Sequence, residues 1–288
     1  MDRRGIQNDL RLAARAALPL QPSLRLLPRS VRFVMVASHQ DARPEIGANR
    51  PKTVKCARSC MPRLSLLLAN VCRGHMNTLP TIGGVTPPDS ALTRKAASLA
   101  ERVHTKVLLN HVHRTWWFAE HIAKRQGLVY DRELVYLAAI LHDLSLSDEF
   151  AADQRFEVDS ADAASRFLLE NNYPKSKAEL VWDSIALHTS TGIVERKQPE
   201  VAFVHVGAYA DLFGLGLKEL TPSLIDDVVA LYPRLGMKAA FTEALAEVIR
   251  KKPQTAFGTG LVDIGHRHVH GFGCPNLCDL INNAPFES

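Results

Sequence analysis

The chain has 288 residues, of which 46% are hydrophobic and 23% are charged, and its formal net charge is +5. This composition is typical of one large globular domain or two small ones. No apolar run approaches the roughly 20 residues that a membrane-spanning helix needs. Five cysteines, an odd number, argue against a disulfide framework and favour a reduced, cytoplasmic compartment.

The first 75 residues differ from the rest in charge. They carry 14 Lys and Arg against 4 Asp and Glu, a balance of +10, whereas the remaining residues carry 21 against 26, a balance of −5. An Arg-rich, acid-poor segment is typical of an organellar presequence, which would place the protein in mitochondria. In the alternative interpretation, the start codon is misassigned and Met76 begins the protein. Either way we expect residues 1–75 to be a disordered extension and residues 76–288 to form the folded domain.

From Pro87 onward the hydrophobic pattern predicts helices almost throughout, with no convincing strand. The first follows Pro87, the second ends at Gly127, and Asp131 caps the third. A fourth spans "DSADAASRFLLENNYP", and a capping box of Ser176 and Glu179 begins a fifth that runs to His188.

Three further helices are predicted at 200–215, after the "TPS" at 221, and from Met237 to Lys252. We expect the remainder to be Gly- and Pro-broken coil, including the His-rich segment 266–270. The pattern therefore predicts an all-α bundle of seven to nine helices with a coil-rich C-terminal tail.

Four side chains that can bind a metal lie on predicted inner faces of three helices. His111 and Asp211 each occupy an apolar stripe, and His142 and Asp143 follow Leu141 at the end of a third helix. Imidazole and carboxylate ligands together suit zinc, iron or manganese. Each residue taken alone could equally be a hydrogen-bonded core residue. His205 is about 120° away from Asp211 on the same helix, so we do not expect both to reach one ion.

The order His111, His142-Asp143, Asp211 resembles the H…HD…D signature of the HD superfamily of metal-dependent hydrolases. The segments "LLNHVHRTWWFAEHIA", "LAAILHDLSLSDEF", "VHVGAYADLFG" and "INNAPF" are similar to the cyanamide hydratase-like branch, and the resemblance covers residues 80–286. The resemblance implies an HD-domain helical bundle around one divalent metal, which would be bound by His111, His142, Asp143 and Asp211. Zinc is the expected metal, and iron or manganese is the alternative. The chain differs from the branch at Val112, Ser160 and His270, where the branch commonly has Ser, Gly and Pro. These differences leave the identity of the substrate undetermined.

The resemblance implies a reaction in which metal-activated water adds to a small nitrile such as cyanamide and gives urea. Asp143, His188 and Glu157 are the expected catalytic residues, with His188 a proton donor and Glu157 a general base or substrate anchor. One rival is a phosphohydrolase acting on a nucleotide or phosphoester, which needs Lys or Arg near the metal. Another is a non-catalytic binding module. We expect a small-molecule substrate and neither a nucleic-acid nor a membrane partner, and a homo-oligomer stays open.

Overall fold

The computed structural model describes residues 79–286, so the predictions for residues 1–75 lie outside the described part. That part contains ten helices and no β-strand, which confirms the all-α fold. In chain order they are α1 (Ala91–Val103), α2 (Lys106–Arg125), α3 (Arg132–Leu141), α4 (Phe156–Glu170), α5 (Lys175–Ala186), α6 (Pro199–Phe213), α7 (Pro222–Leu231), α8 (Met237–Lys251), α9 (Leu261–His268) and α10 (Leu277–Asn282). None of these helices is long and apolar enough to cross a membrane.

Five of the ten α-helices, α1, α2, α3, α7 and α10, begin after a residue whose side chain accepts a backbone N–H of the first turn. Ser90 forms a capping box with Thr93 at the start of α1, and the Asp131 side chain accepts the Leu134 N–H at the start of α3. The capping box predicted for α5 was wrong. Pro174 fixes φ near −57° and the chain enters the helix directly after it, so Ser176 lies inside the first turn. The helix also ends at Ala186, two residues before His188.

The tail is coil-rich as predicted, but two short helices interrupt it. Helix α9 packs against α8, and a Cβ added at Gly265 would lie 2.5 Å from the Phe272 ring. An eight-residue helix is marginal in isolation, so this packing rather than helix propensity stabilises α9. His266 and His268 therefore lie in its last turn and not in a loop.

Helix α3 forms the centre of the bundle. Every residue from Leu134 to Leu141 is buried, and α1, α2, α5 and α6 all pack around this helix. A helix that is apolar on all sides has to be enclosed in this way. His142 and Asp143, which follow the C-terminal end of α3, therefore lie in the interior, where neither side chain is exposed to solvent.

Helices α2 and α6 approach so closely that their backbones touch. A Cβ added at Gly207 would lie 1.9 Å from the carbonyl oxygen of Thr115 and 3.0 Å from the Cβ of Ala119. Only glycine fits there. One turn before Thr115 on α2 is His111, and one turn after Gly207 on α6 is Asp211, so this contact determines how closely those two side chains meet.

We expect Gly207→Ala to force α2 and α6 apart and to lower the free energy of unfolding by about 3 kcal/mol or more. Urea unfolding followed by circular dichroism measures this change. Gly260→Ala is the matched control, because a Cβ there meets nothing within 4 Å. It should stay within about 0.5 kcal/mol of wild type. Equal stability of the two variants would contradict the proposed helix contact.

We also expect the free energy of unfolding to fall at acidic pH because of His121, a buried histidine of α2. Its Nε2 has no hydrogen-bond partner. Burial, with a smaller contribution from the charge of Lys124, lowers the pKa of His121 to about 4, whereas the unfolded value is about 6.5. The unfolded chain therefore takes up the proton first, and stability present above pH 6.5 is lost as the pH falls toward 4.

We expect His121→Leu to flatten this dependence of the melting temperature between pH 7 and pH 4.5. The comparison is made by scanning calorimetry on wild type and variant in matched buffers. Parallel curves for the two proteins would show that His121 does not carry the effect.

Candidate metal centre

Three of the predicted ligands meet in the interior, and we call His111, His142 and Asp143 the His–Asp cluster. One ligand atom from each lies within 4.8 Å of the others, and all three side chains are buried. His111 comes from the middle of α2, His142 is the residue that ends α3, and Asp143 follows it. The cluster therefore joins the two helices at the centre of the core.

Hydrogen bonds on the far side of each ring turn both histidines toward the cluster. The Nδ1 atom of His142 lies 2.8 Å from the carbonyl oxygen of Ala139, and that of His111 lies 2.7 Å from Oδ2 of Asp211. Because a carbonyl and a carboxylate only accept, Nδ1 carries the hydrogen in both rings. Each Nε2 is then left facing the cluster, as in metal-binding histidines generally.

The atoms facing one another in the cluster lack hydrogen-bond partners. They are Nε2 of His111, Nε2 of His142 and both carboxylate oxygens of Asp143. Oδ2 of Asp143 lies 3.1 Å from Nε2 of His142 and 3.6 Å from Nε2 of His111. A buried carboxylate without donors is costly. Two imidazole nitrogens and a carboxylate that converge in this way fit a divalent metal such as zinc, iron or manganese.

The pKa values in the cluster show that a positive charge is favoured there. Burial alone raises the pKa of Asp143, but His142, His111 and His188 outweigh it and the pKa is lowered. Burial lowers the pKa of His142, but Asp143 outweighs burial and the pKa is raised. The carboxyl group of Asp143 is therefore ionised, which is the form in which a carboxylate can bind a metal.

Asp211, the fourth predicted ligand, lies on the Nδ1 side of His111 and outside the cluster. Its carboxylate accepts from His111 at 2.7 Å, from Nε and Nη2 of Arg114 at 2.8 and 2.9 Å, and from Arg234 at 2.6 Å. Four donors fill the roughly four lone-pair positions of a carboxylate. In this arrangement Asp211 orients His111, and its direct coordination of a metal stays a prediction.

Arg114 connects this carboxylate to the segment between α7 and α8. The guanidinium is fully buried, and its Nη1 donates to the carbonyl oxygens of Tyr232 and Pro233 at 2.9 and 3.2 Å. Two residues later Leu235 adopts a left-handed φ of 49°, a conformation that is rare for a bulky side chain. Arg114 thus connects the turn of residues 232–236 to Asp211 through hydrogen bonds.

Comparison with protein families identifies the part of the chain that carries this site. Residues 108–226 match the HD domain family. The matched segment runs from the first turn of α2 into α7 and includes all four predicted ligands. It supports the HD superfamily, whose members are generally metal-dependent hydrolases. A comparison with curated proteins gave no match.

His188 lies against the His–Asp cluster. Its ring meets the His142 ring edge-on with centroids 5.1 Å apart, and Phe156 contacts it from another side at 5.7 Å. Its Nδ1 lies 2.7 Å from the carbonyl oxygen of Ile185, so Nε2 is the free nitrogen. Burial, with a smaller contribution from the charge of His142, lowers the pKa of His188 to about 4.

Glu157 is buried near His188 and is held by two donors. Arg155 Nη2 donates to its Oε1 at 2.9 Å, and the Thr189 hydroxyl donates to the same oxygen. Burial raises the pKa of Glu157, but Arg155, His188 and Thr189 outweigh it and the pKa is lowered. The carboxylate is therefore charged at neutral pH beside the HD-domain histidines, and its catalytic role stays a prediction.

His205 lies apart from the His–Asp cluster. Its Nδ1 donates to the His188 carbonyl oxygen at 2.8 Å, and its Nε2 lies 3.4 Å from Glu195.

Ser160, where the branch commonly has glycine, donates to the Ser145 hydroxyl at 2.9 Å and accepts the Ser145 N–H at 3.1 Å. This hydroxyl pair fastens α4 to the backbone that follows Asp143.

Sequence reasoning missed three residues that surround the HD-domain site. Arg234 reaches Asp211 from the turn before α8, and the Phe241 ring of α8 packs on His111 with centroids 5.2 Å apart. His104 lies in the connection between α1 and α2, where helical periodicity gives no signal. The charges of Asp143, His142 and His111 all affect the pKa of its ring.

We expect Asp143→Asn to remove metal binding while the helical bundle stays folded, because the amide keeps the shape but loses the charge. Metal content is measured by atomic emission. Chelator treatment should lower the melting temperature of wild type only, since a ligand stabilises the state that binds it. Asp226→Asn, at an exposed position of α7, is the matched control. Near-stoichiometric metal in Asp143→Asn would exclude Asp143 as a ligand.

Proposed function

We propose that the chain is a metal-dependent HD-domain hydratase that adds water to a small nitrile-type substrate such as cyanamide and gives urea. A divalent metal held by the His–Asp cluster would polarise water for attack on an electrophilic carbon. The finer assignment to a cyanamide hydratase-like branch rests on the sequence segments given above. The charge around the site is the single observation in the structure that supports it.

The cationic side chains at the site are already occupied by carboxylates of the chain. Arg114 and Arg234 bind Asp211, and Arg155 binds Glu157. The cavity that is lined by Leu108 of α2 and by Ser145 also has Asp148, Asp153, Glu247, Lys251 and Lys252 in its wall, and both lysines are paired, with Asp148 and Asp159 respectively. A phosphate group would require charge-assisted donors, and its desolvation without them costs several kcal/mol. A compact neutral substrate has no such requirement.

The residues of the chain can move the protons that this reaction needs. Addition of water to the nitrile carbon forms one C–O bond, and both hydrogens of that water end on nitrogen after the product tautomerises to urea. His188 is neutral at pH 7 because its pKa is lowered to about 4. Its Nε2 therefore has a lone pair that can accept a proton from water and return it to the substrate nitrogen. The charge of Glu157 favours the protonated form of that ring.

A phosphohydrolase is the second candidate, and Arg234 is the observation that favours it. About one-third of this side chain is exposed, although it is hydrogen-bonded to Asp211. A nucleotide or phosphoester that displaced part of this contact would gain one positive charge close to the cluster.

The test compares both reactions with the same protein sample, loaded in turn with zinc, iron and manganese. We expect urea from cyanamide and no phosphate from nucleoside monophosphates, and Asp143→Asn should lose the urea signal by 100-fold or more, on the order of a lost catalytic metal. Phosphate release without urea would refute the hydratase and establish the phosphohydrolase.

A further inference from the structure

Two side chains of the candidate site, those of His188 and Thr189, lie in the connection that follows α5. The helix ends at Ala186, so neither residue is held in a helical hydrogen-bond ladder. The His188 ring nevertheless meets the His142 ring edge-on with centroids 5.1 Å apart, and the Thr189 hydroxyl donates to the Glu157 carboxylate. Contacts from another element therefore have to fix this backbone.

His205 of α6 supplies the hydrogen bond that fixes the start of this connection. Its Nδ1 donates to the carbonyl oxygen of His188 at 2.8 Å, and no other donor to this oxygen occurs among the described residues. Both residues are buried, so the ring excludes water from the carbonyl group. A buried carbonyl that loses its donor is costly. Loss of the His205 ring would therefore release the His188 backbone from this position.

One turn further along α6, Tyr209 binds the next carbonyl group. Its hydroxyl donates to the carbonyl oxygen of Thr189 at 3.3 Å and accepts the Thr191 hydroxyl at 2.9 Å. The rings of His205 and Tyr209 pack on each other with centroids 4.0 Å apart, as side chains at positions i and i+4 of a helix can. One face of α6 thus binds two consecutive carbonyl groups, and both belong to residues whose side chains reach the site.

Helix α6 also determines the orientation of His111. Asp211, on the same helix as His205, accepts from Nδ1 of His111 at 2.7 Å. The rings of His111 and His188 each contact the ring of His142, with centroids 5.2 and 5.1 Å apart. A single helix therefore sets where the histidines on two sides of His142 lie relative to each other.

We propose that His205 is a positioning residue, which holds the His188 carbonyl oxygen and thereby keeps the His188 ring against the His–Asp cluster and the Thr189 hydroxyl on Glu157. His205 is not among the side chains that converge in the cluster. The inference rests on the proposed function for the role of His188 in proton transfer. The placement of the His188 ring by His205 is carried by the contacts alone.

The kinetic test replaces His205 by Leu, which removes the donor, and by Asn and Gln, which each keep an amide. The amide of Asn lies near the position of Nδ1, whereas that of Gln lies near Nε2, on the side of Glu195. We expect His205→Leu to lower kcat for cyanamide about 100-fold, as a misplaced catalytic group does. Metal content should be unchanged, and KM should change less than about threefold. His205→Asn should recover kcat to within about fivefold of wild type, and His205→Gln should not.

A spectroscopic measurement follows the His188 ring without any substrate. Its Nδ1–H donates to the Ile185 carbonyl oxygen at 2.7 Å in a buried position. The proton should therefore exchange slowly with water and give a resolved NMR resonance, which His188→Gln identifies by its loss. In the zinc-loaded protein we expect this resonance in wild type and in His205→Asn. It should be lost through exchange in His205→Leu and His205→Gln.

Thr93→Val is the matched control for a general loss of stability. Thr93 is a buried residue of α1 whose hydroxyl donates to the carbonyl oxygens of Pro88 and Ser90 at 3.1 and 3.0 Å. Like His205→Leu, this variant removes a buried donor to the backbone, so its melting temperature should fall by roughly 2–8 °C. Its kcat and the His188 resonance should equal those of wild type.

The proposal is overturned if His205→Leu keeps both its kcat and the His188 resonance, or if the Asn and Gln variants behave alike. It is also overturned if Thr93→Val produces the same losses, since His205 would then contribute only stability, or if His205→Leu loses its metal. Should His205→Leu fail to fold, the comparison of Asn with Gln decides. If wild type makes no urea, the proposed function fails, and the resonance alone decides the role of His205.

Discussion

The metal centre depends on the contact between Gly207 and the Thr115 carbonyl. Side chains usually separate the backbones of two packed helices, but the backbones of α2 and α6 are in contact because Gly207 has only a hydrogen at the point of crossing. One turn along each helix, this closeness lets Asp211 reach the Nδ1 atom of His111 at 2.7 Å. The imidazole is then fixed in rotation and tautomer, and its Nε2 faces His142 and Asp143. A larger residue at position 207 would separate these groups without touching any of them.

The two buried carboxylates near the centre, those of Asp143 and Asp211, differ in their hydrogen bonding. Asp211 accepts four hydrogen bonds, whereas the two oxygens of Asp143 accept none within the described part of the chain. Both are buried, so the difference reflects what each one faces. Asp211 faces guanidinium groups of the chain, and Asp143 faces two imidazole nitrogens whose lone pairs can share a cation with it. The structure thus distinguishes two acidic residues that a sequence pattern treats alike: Asp211 is neutralised by hydrogen bonds of the chain, and the carboxylate of Asp143 is left available for a metal.

The sequence was sufficient for the elements whose signal is periodic and for the placement of the four predicted ligands on their buried faces. The stripes of α2 and α6 placed His111 and Asp211 on inner faces, and the apolar run of α3 placed His142 and Asp143 in the core. Geometry between elements was not accessible in this way. The division of roles between Asp211 and Asp143 depends on Arg234, which comes from a turn 23 residues further along. His104 lies between two helices, and α9 exists because Phe272 covers Gly265, so neither has a local signature.

The turn of residues 232–236 gives the centre a thermodynamic connection to the protein surface. Its carbonyl groups bind Arg114, Arg114 holds Asp211, and Asp211 orients His111. Any coupling between the order of this turn and the binding of a metal would be reciprocal, so that each would change the other by the same factor. Leu235, more than half exposed and in a left-handed conformation, is the residue of this turn that is open to solvent. A substitution at so peripheral a position would act inward through Arg114 and Asp211 on the orientation of His111.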